Sequence, residues 1–268
     1  MFRSLKSVPF ALPLLLMSVL AAMGFVLTSC NSGNQAQVRF VHAIANIQGD
    51  ELNIEFNGAD DFQGISFANP SPYPATGYTA VPAGSVTIEG FLNDSPTTSA
   101  FNAVSNYNLN AGSQYTLVAT GTAPDNVIIL GNSVPDNNTE PTDGNVNFRV
   151  FDASIDGQPS LAIYILQNNS QGEGPGVQQG TPVTMTVTNP TSSLSGAVSS
   201  YTSGLSFNSN HTGWTMYVAI SNQTNPLFSA QIADAGSATE GSIRTIVLTD
   251  NTGQTGLNTT PLVFKDLN

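Results

Sequence analysis

The feature that most constrains this chain is a pattern of alternating apolar residues that occurs twice. Residues Val38–Ala43 read VRFVHA, and residues Phe148–Ala153 read FRVFDA. A second matching pair follows, LNIEF at Leu52–Phe56 and LAIYI at Leu161–Ile165. Alternation with a period of two residues is the pattern of a half-buried β-strand. The repeat therefore predicts that one β-unit occurs twice along the chain.

Further strand-like runs follow in the same order in both halves. The matching pairs are Tyr78-Thr79 with Tyr201-Thr202, Ser85–Leu92 with Trp214–Ile220, Gln114–Ala119 with Ser242–Leu248, and Val127–Leu130 with Leu262–Phe264. Beyond Cys30 no stretch sustains a helical period, and glycine, proline and asparagine interrupt the chain about every ten residues. These features predict an all-β protein, made of two tandem immunoglobulin-like antiparallel β-sandwiches after an N-terminal signal peptide.

The beginning of the chain has the layout of a signal peptide. Arg3 and Lys6 precede an uncharged run, Val8–Leu27. A short cationic stretch followed by an apolar run is typical of secretory signal peptides. The run is also about as long as a membrane-spanning helix, roughly 20 residues, so an uncleaved anchor is an alternative. Pro9 and Pro13 weaken that alternative, because proline interrupts a helix interior.

The apolar run ends in Leu27-Thr28-Ser29-Cys30, which contains the only cysteine of the chain. This ending resembles the bacterial lipobox. The resemblance implies that residues 1–29 are a lipoprotein signal peptide and that the thiol of Cys30 is the lipid-attachment site. We expect residues 30–36, the lipidated cysteine and a short polar tether, to hold the protein to the membrane through the lipid. Asn31 resembles the residue of outer-membrane sorting, so the predicted location is the bacterial cell envelope, at the outer membrane of a two-membrane cell.

The mature chain is strongly acidic. All 18 acidic residues follow Cys30, whereas only four of the six basic residues do, which leaves a formal charge of −14. Such a balance repels phosphate and argues against nucleic acid as a partner. Lipidation would leave no free thiol, so the stability must come from packed cores rather than from disulfides within the chain.

A polar segment separates the two halves. Residues 132–144 contain two prolines and several acidic or turn-forming residues, but almost nothing apolar. We interpret this segment as a linker between a first β-sandwich domain, residues 37–131, and a second, residues 145–268. Interfaces across such linkers tend to be small and polar. We therefore expect the two domains to fold independently.

The chain offers few groups for acid–base or metal chemistry. His42 ends the first repeated run, and Asp152 occupies the equivalent place in the second half. Either could bind a metal, but no second histidine is near in sequence, so we favour a structural role for His42. His211 lies in a turn and is expected to be solvated. Two histidines supply a zinc site poorly, and no nucleophile-elbow or phosphate-binding motif occurs. We predict no catalytic, cofactor-binding or metal-binding residues.

Carboxylates are the one plentiful reactive group. The candidate clusters are Asp50-Glu51, Asp60-Asp61, and Asp136 with Glu140 and Asp143. They could bind calcium, which prefers oxygen ligands, although none matches the EF-hand loop. Two acids that meet in space could also cleave a glycosidic bond. A solvated acidic loop is the simpler interpretation of each cluster.

Two pairs of aromatic residues could form a small carbohydrate platform. They are Tyr73 with Tyr78, and Trp214 with Tyr217. The alternation of apolar residues from Trp214 onward predicts instead that Trp214 points into a core.

Four segments of the first half resemble a known family. They are Arg39–Ala43 (RFVHA), Leu52–Gly58 (LNIEFNG), Tyr78 with Val81–Ser85 (VPAGS), and Leu109–Leu117 (LNAGSQYTL). The series resembles a bacterial surface-domain family known only as domain of unknown function 4397, whose members are often lipoproteins or secreted and often carry the domain in tandem. The second half keeps Arg149, Ala153 and the strand order, and resembles a diverged copy. The resemblance implies an extracytoplasmic β-sandwich and supplies no activity.

Together these features favour a non-enzymatic, lipid-anchored cell-envelope protein. Its sandwiches would serve binding or structural roles and present loops to an envelope protein or a glycan. Two alternatives stay open: an extracellular polymer hydrolase that uses paired carboxylates, and a calcium-stiffened spacer module.

Overall fold

The computed structural model describes most of the chain from Asn34 onward, and nearly all of its regular structure is β-strand. The described residues are 34–71, 77–131, 135–136, 139–142, 144–155, 160–168, 183–188, 190, 196–209, 213–223, 225–233, 240–251 and 256–267. Cys30, the predicted signal peptide and His211 lie outside them. Within the described part, no helix has the length and apolarity to cross a membrane.

The N-terminal half, residues 34–131, forms two sheets. Its strands are β1 (Gln35–Ile44), β2 (Leu52–Phe56), β3 (Ala59–Ile65), β4 (Pro70–Ser71), β5 (Thr79–Pro82), β6 (Gly84–Leu92), β7 (Ser95–Leu109), β8 (Gln114–Thr122) and β9 (Asn126–Leu130). A 3-10 turn, Ala45–Ile47, follows β1. The sheet that faces the C-terminal half, which we call the inner sheet, has the order β4-β1-β8-β9, with β5 also paired to β1. The other sheet, the outer sheet, has the order β3-β2-β6-β7.

The C-terminal half, residues 144–267, repeats this arrangement. Its strands are β10 (Asn145–Asp152), β11 (Ser160–Gln167), β12 (Val183–Thr188), β13 (Leu205–Ser206), β14 (Trp214–Ile220), β15 (Pro226–Ala233), β16 (Ile243–Leu248) and β17 (Leu262–Leu267). The inner sheet is β13-β10-β16-β17 and the outer sheet is β12-β11-β14-β15. β10, β16 and β17 therefore correspond to β1, β8 and β9.

Most strand pairs are antiparallel, but each inner sheet contains one parallel pair. β1 runs parallel to β8, with Arg39 opposite Thr116, and β10 runs parallel to β16, with Arg149 opposite Thr245. Strands of parallel pairs are commonly buried on both faces, and β8 and β16 are buried along almost their whole length. The predicted all-β fold is confirmed, and its sheets are mostly antiparallel; the parallel pair in each inner sheet departs from the purely antiparallel sandwiches that we predicted.

Each half closes a core of its own between its inner and outer sheets. Phe40 and Phe56 pack in the first core, and Phe148 and Trp214 pack in the second. The ring centroids of Phe148 and Trp214 lie 5.1 Å apart, and Trp214 is 2% exposed. The prediction that Trp214 is a core residue is therefore confirmed.

The remaining faces of the two inner sheets pack against each other. The apolar residues between them, which we call the shared cluster, come from both halves: Val41, Ala43, Val118, Leu130, Phe151, Ala153, Ala197, Val247 and Phe264. Along β1 and β10 these residues alternate with those of the separate cores. The expectation of a small polar contact between the halves is wrong, because each inner sheet has two apolar faces and the other half covers the second one.

Candidate functional site

Arg39 and Arg149 occupy equivalent places on the two inner sheets. Arg39 lies on β1 and Arg149 on β10, and both are fully buried among apolar neighbours. Strand alternation turns them away from their own cores, onto the face that carries Val41 and Phe151. A guanidinium keeps its charge at physiological pH, so each buried arginine requires an acidic partner.

Asp136 and Asp266 are those partners: Asp136, in the segment that follows the N-terminal half, binds Arg149, and Asp266, in the C-terminal half, binds Arg39. Asp136 follows β9 and accepts a hydrogen bond from Arg149 Nη2 at Oδ1. Asp266, on β17, accepts one from Arg39 Nη2 at 2.6 Å. Arg39 Nη2 also lies 3.8 Å from Asp136 Oδ2. All four side chains are at most 1% exposed, so two positive and two negative charges neutralise one another out of water.

A threonine and a tyrosine hold each carboxylate. The Thr116 hydroxyl accepts from Arg39 at 2.5 Å and donates to Asp136 at 2.8 Å. Tyr78 also donates to Asp136, at 2.8 Å. We call this set of residues the reciprocal cluster; its members are Arg39, Tyr78, Thr116, Asp136, Arg149, Tyr201, Thr245 and Asp266.

The C-terminal half repeats these bonds. The Thr245 hydroxyl accepts from Arg149 Nε at 2.8 Å and donates to Asp266 at 2.5 Å. Tyr201 donates to the same carboxylate at 3.0 Å. In each direction, therefore, the arginine of one half binds the aspartate that a threonine and a tyrosine of the other half hold.

Aromatic rings enclose both guanidinium groups. Arg39 Cζ lies 5.2 Å from the centroid of the Tyr78 ring and 4.8 Å from that of Phe264. Arg149 Cζ lies 4.8 Å from the ring centroids of both Phe151 and Tyr201. Attraction between a cation and a ring face is stronger where water is excluded. The rings therefore favour the charged arginines while completing the apolar surroundings.

The surroundings keep the reciprocal cluster ionised. Burial alone would raise the pKa of Asp136, but Arg149 and then Arg39 outweigh burial and lower this pKa below its ordinary value. Burial also opposes the charge of Arg149, yet Asp136 raises the pKa of its guanidinium. Burial and the charge of Asp136 raise the pKa of Tyr78, so its hydroxyl remains a donor. The charges thus depend on one another across the boundary between the halves.

This arrangement joins the halves and engages its own charged groups with one another. The oxygens of Asp136 are occupied by bonds from Arg149, Thr116 and Tyr78. Of the acids grouped with Asp136 in the sequence, Glu140 is exposed, and Asp143 lies outside the described residues. No group of three or more histidine, cysteine or acidic side chains placed to hold a metal occurs in the described part of the chain.

His42 and Asp152 lie at equivalent ends of β1 and β10, and both accept a hydrogen bond from an amide two residues on. Ile44 N donates to His42 Nδ1 at 3.2 Å, and Ser154 N donates to Asp152 Oδ1 at 3.2 Å. Both side chains are fully buried. The His42 ring also bonds Ile47 O, at 3.1 Å, in the turn that follows β1. His42 therefore makes the strand-end and turn contacts that a structural role requires.

Burial disfavours the charged form of both groups, so it shifts their pKa values in opposite directions. Burial lowers the pKa of His42 from 6.5 to about 4, so the ring is neutral at pH 7. Burial raises the pKa of Asp152 from 3.8 to about 7, and the charge of Asp250 adds to this effect. Asp152 Oδ2 is buried without a hydrogen-bond partner among the described residues. Asp250 accepts bonds from Ser154 Oγ and from Ile155 N.

The other predicted acidic pairs do not converge. Glu51 accepts bonds from Ser66 Oγ at 3.2 Å and from Asn93 Nδ2 at 2.9 Å, near the end of the sheet. Asp60 accepts from Gln63 at 2.7 Å, on the β2–β3 hairpin. Burial raises the pKa of Asp61. Each pair thus has local polar contacts, and the chain does not bring them together.

The structure separates one of the two aromatic pairs, Trp214 and Tyr217. Tyr78 belongs to the reciprocal cluster and Trp214 to the second core, whereas Tyr217 is half-buried on the opposite face of β14. Tyr73 lies outside the described residues. The described aromatic side chains therefore do not form the carbohydrate platform considered from the sequence.

The sequence did contain one signal for the reciprocal cluster. Only four basic residues follow Cys30, and two of them, Arg39 and Arg149, lie within otherwise apolar runs at matching places in the repeat. Arginines on strands buried on both faces demand carboxylates. Nothing in the sequence pointed to Asp136 and Asp266 as those carboxylates, because they lie outside the repeated strand runs.

Several solved structures show a weak likeness to the chain. A structure of alpha-glucan binding by a streptococcal virulence factor has 8% identity and a TM-score of 0.25, covering 86% of this chain and 97% of that one. A family 41 carbohydrate-binding module from streptococcal virulence factors has 10% identity and a TM-score of 0.25, with the same coverage. A candidate cell adhesion protein of Bacteroides ovatus has 6% identity and a TM-score of 0.24, covering 89% and 99%. Likenesses of this size carry no information about what this chain binds.

No curated protein matches the chain. One family does match, over residues 36–164, which extends from β1 into β11. The matched region contains Arg39, Asp136 and Arg149 of the reciprocal cluster. Residues 36–164 therefore match the family described as "Domain of unknown function (DUF4397)".

Proposed function

We propose that this chain is a non-enzymatic, lipid-anchored protein of the bacterial cell envelope. In this proposal residues 37–131 and 145–268 are two sandwich domains that residues 132–144 connect. The observation that carries it is the reciprocal cluster, which uses the buried acidic and basic groups to fasten one sandwich to the other. The result is one stiff body that presents its loops at a defined height, as binding and structural roles require.

The anchor in this proposal is the lipid on Cys30. Leu27-Thr28-Ser29-Cys30 supports it, and so does the position of β1, which begins at Gln35. Five residues from Cys30 to Gln35 reach at most about 17 Å when fully extended. A body tethered so closely stays beside the membrane, and two or more acyl chains give stable anchoring.

The partner in this proposal is an envelope protein or a glycan. The formal charge of −14 after Cys30 disfavours nucleic acid. The histidine and the carboxylate that a hydrolase could use have structural contacts instead. His42 is buried and hydrogen-bonded, and Asp136 is bound by arginine. Exposed amide and hydroxyl side chains on the loops suit hydrogen bonding to sugars or to protein backbone.

Two measurements on the full-length protein, expressed in a bacterium, test the proposal. The mass of the membrane-extracted protein should show cleavage before Cys30 and added acyl chains, and Cys30→Ser should release the protein without changing its unfolding curve. Unmodified, membrane-bound wild-type protein would contradict the anchor. Incubation with envelope polysaccharides should give retention without new reducing ends, and the appearance of reducing ends would contradict the non-enzymatic role.

A further inference from the structure

The strand register divides the loops of the N-terminal sandwich into two ends. Asn34, where the tether arrives, accepts a bond from Ala83 N at its carbonyl oxygen, and Gln35 O accepts one from Gly112 N. Residues 82–84 and 110–113 thus lie beside the tether, and we call them the proximal loops. β1 is ten residues long, so the opposite end of the sheet lies about 30 Å away.

The opposite end is formed by loops that bond to one another. Asn46 exchanges two hydrogen bonds with Ala123, at 2.9 and 2.8 Å, and Asn93 N donates to Glu51 O at 2.8 Å. We call residues 45–51, 66–69, 93–95 and 122–126 the distal loops.

Charge is distributed unequally between these two ends. The eight acidic residues of the N-terminal half all lie in the distal loops or on the outer sheet: Asp50, Glu51, Glu55, Asp60, Asp61, Glu89, Asp94 and Asp125. The proximal loops read PAG and NAGS and carry no charge. An acidic body is repelled by an anionic headgroup layer, and only charges within about a Debye length, roughly 8 Å at physiological salt, contribute much to that repulsion. The carboxylates of the distal loops lie about 30 Å from the proximal loops, and Glu55, Asp60 and Glu89, which are in register on the outer sheet, lie about 17 Å along β6 from Gly84, so both groups are beyond that distance.

Of the basic residues that follow Cys30, the one with an exposed side chain lies in the C-terminal half, near the level of the proximal loops. Of the four basic residues that follow Cys30, three are buried and Lys265 is exposed. Its carbonyl accepts a bond from Arg39 Nη1 at 3.3 Å, which places it near the lower part of β1. The same end of the C-terminal half also carries Glu240, which accepts a bond from Gly144 N. The uncharged surface therefore belongs to the N-terminal sandwich alone.

We infer that the proximal loops are a membrane-contact surface, which rests on lipid headgroups while the acidic distal loops face away. This inference rests on the proposed lipid anchor. The tether begins beside the proximal loops and reaches at most about 17 Å, so these loops are the part of the body that the lipid holds nearest to the bilayer. Because they are uncharged, they approach anionic headgroups without repulsion.

A pair of single-cysteine variants of the full chain tests the inference. Ala111 lies in a proximal loop and Thr97 lies near the distal end of β7, and both are exposed. Ala111→Cys and Thr97→Cys, purified in the lipidated form in which Cys30 is blocked, would each carry an environment-sensitive fluorophore. The proteins would be placed in anionic vesicles that contain lipids with nitroxide-labelled headgroups. We expect strong quenching of the probe at residue 111, and emission at residue 97 equal to that in vesicles without nitroxide.

The outcomes separate this inference from the proposed anchor. Mass measurement of the same samples shows whether Cys30 is lipidated, and an unlipidated protein would overturn the proposed function. A lipidated protein with equal quenching at both positions, or with stronger quenching at residue 97, would overturn the orientation. Adding Cys30→Ser to Ala111→Cys, with the fluorophore at residue 111, should abolish the quenching, because an acidic body has no other hold on the vesicle.

Discussion

Each inner sheet has a lower end, where the reciprocal cluster lies, and an upper end, where His42 or Asp152 lies. The residues of the two halves match closely at the lower end and differ at the upper end. At the lower end both halves carry the same four residue types: an arginine, a threonine, a tyrosine and an aspartate. At the upper end one half carries His42 and the other Asp152. The lower residues bind across the boundary, so one change leaves a buried charge unmatched. The upper residues each accept a bond from the amide two residues further along their own half, so either type serves.

The largest effect should come from breaking the match at the lower end. Asp136→Asn leaves Arg149 and Arg39 with one carboxylate between them, which should lower the free energy of unfolding by about 3–5 kcal/mol. Asp266→Asn should cost a similar amount, because the two aspartates have the same role. Urea denaturation at pH 7 measures both. The exposed Asp60→Asn is the control and should change stability by less than about 0.5 kcal/mol.

The second effect concerns the shared cluster above the reciprocal cluster. Leu130→Ala removes a buried side chain of the cluster that both halves form and should cost about 2–4 kcal/mol. Because this cluster and the charges couple the halves, calorimetry should show one transition, shifted to lower temperature as a whole. Leu227→Ala, at a residue that is 47% exposed, is the control. Two separate transitions would show that the halves fold independently, as the linker had suggested.

A smaller effect should appear at Asp152 as a dependence on pH. Its pKa rises from 3.8 in the unfolded chain to about 7 in the folded protein, so the folded state holds a proton that the unfolded state releases. This contribution to stability is fully present below about pH 4 and is lost as pH rises through 7. Asp152→Asn should flatten the dependence and stabilise the protein at pH 8. If the melting temperature of Asp152→Asn depends on pH as that of the wild type does, Asp152 is ionised in the folded protein.

The smallest effect should appear at His42, with the opposite sign. Its pKa falls from 6.5 to about 4 on folding, so its contribution is present above pH 6.5 and is lost as pH falls through 4. His42→Asn keeps an acceptor for Ile44 N and removes the titration, so acid should destabilise this variant less than the wild type. If the variant is as acid-sensitive as the wild type, other groups cause the loss of stability in acid.

Local pattern was enough to predict the strands, the repeat and the core position of Trp214. Alternation identifies which residues of β1 and β10 face a core, but it does not say what covers the other face. That second face is where prediction failed: Val41 and Phe151 meet across the halves, and Asp136, in an apparently solvated segment, is buried beside two arginines. These contacts cross the boundary between the halves, and some, such as that of Arg39 with Asp266, join residues at opposite ends of the fold, so no local pattern records them.

A glycine at the edge of this contact shows the same limit. Gly131 has φ +109°, and a Cβ there would overlap the carbonyl oxygen of Thr116. A side chain at residue 131 would therefore displace the chain segment that brings Asp136 into contact with Arg149. In the sequence, Gly131 is one of 24 glycines and carries no mark of this role.

The reciprocal cluster has the form of an isologous two-fold interface contained within a single chain. Where residue i of one unit binds residue j of the other and j binds i, the assembly closes on itself and adds no further copies. Two tandem sandwiches satisfy both sets of charges, so no third sandwich can join through the same faces. A chain with one such unit, or three, would leave an arginine and an aspartate unmatched. The number of units in this protein thus decides whether its body stays single or assembles with others.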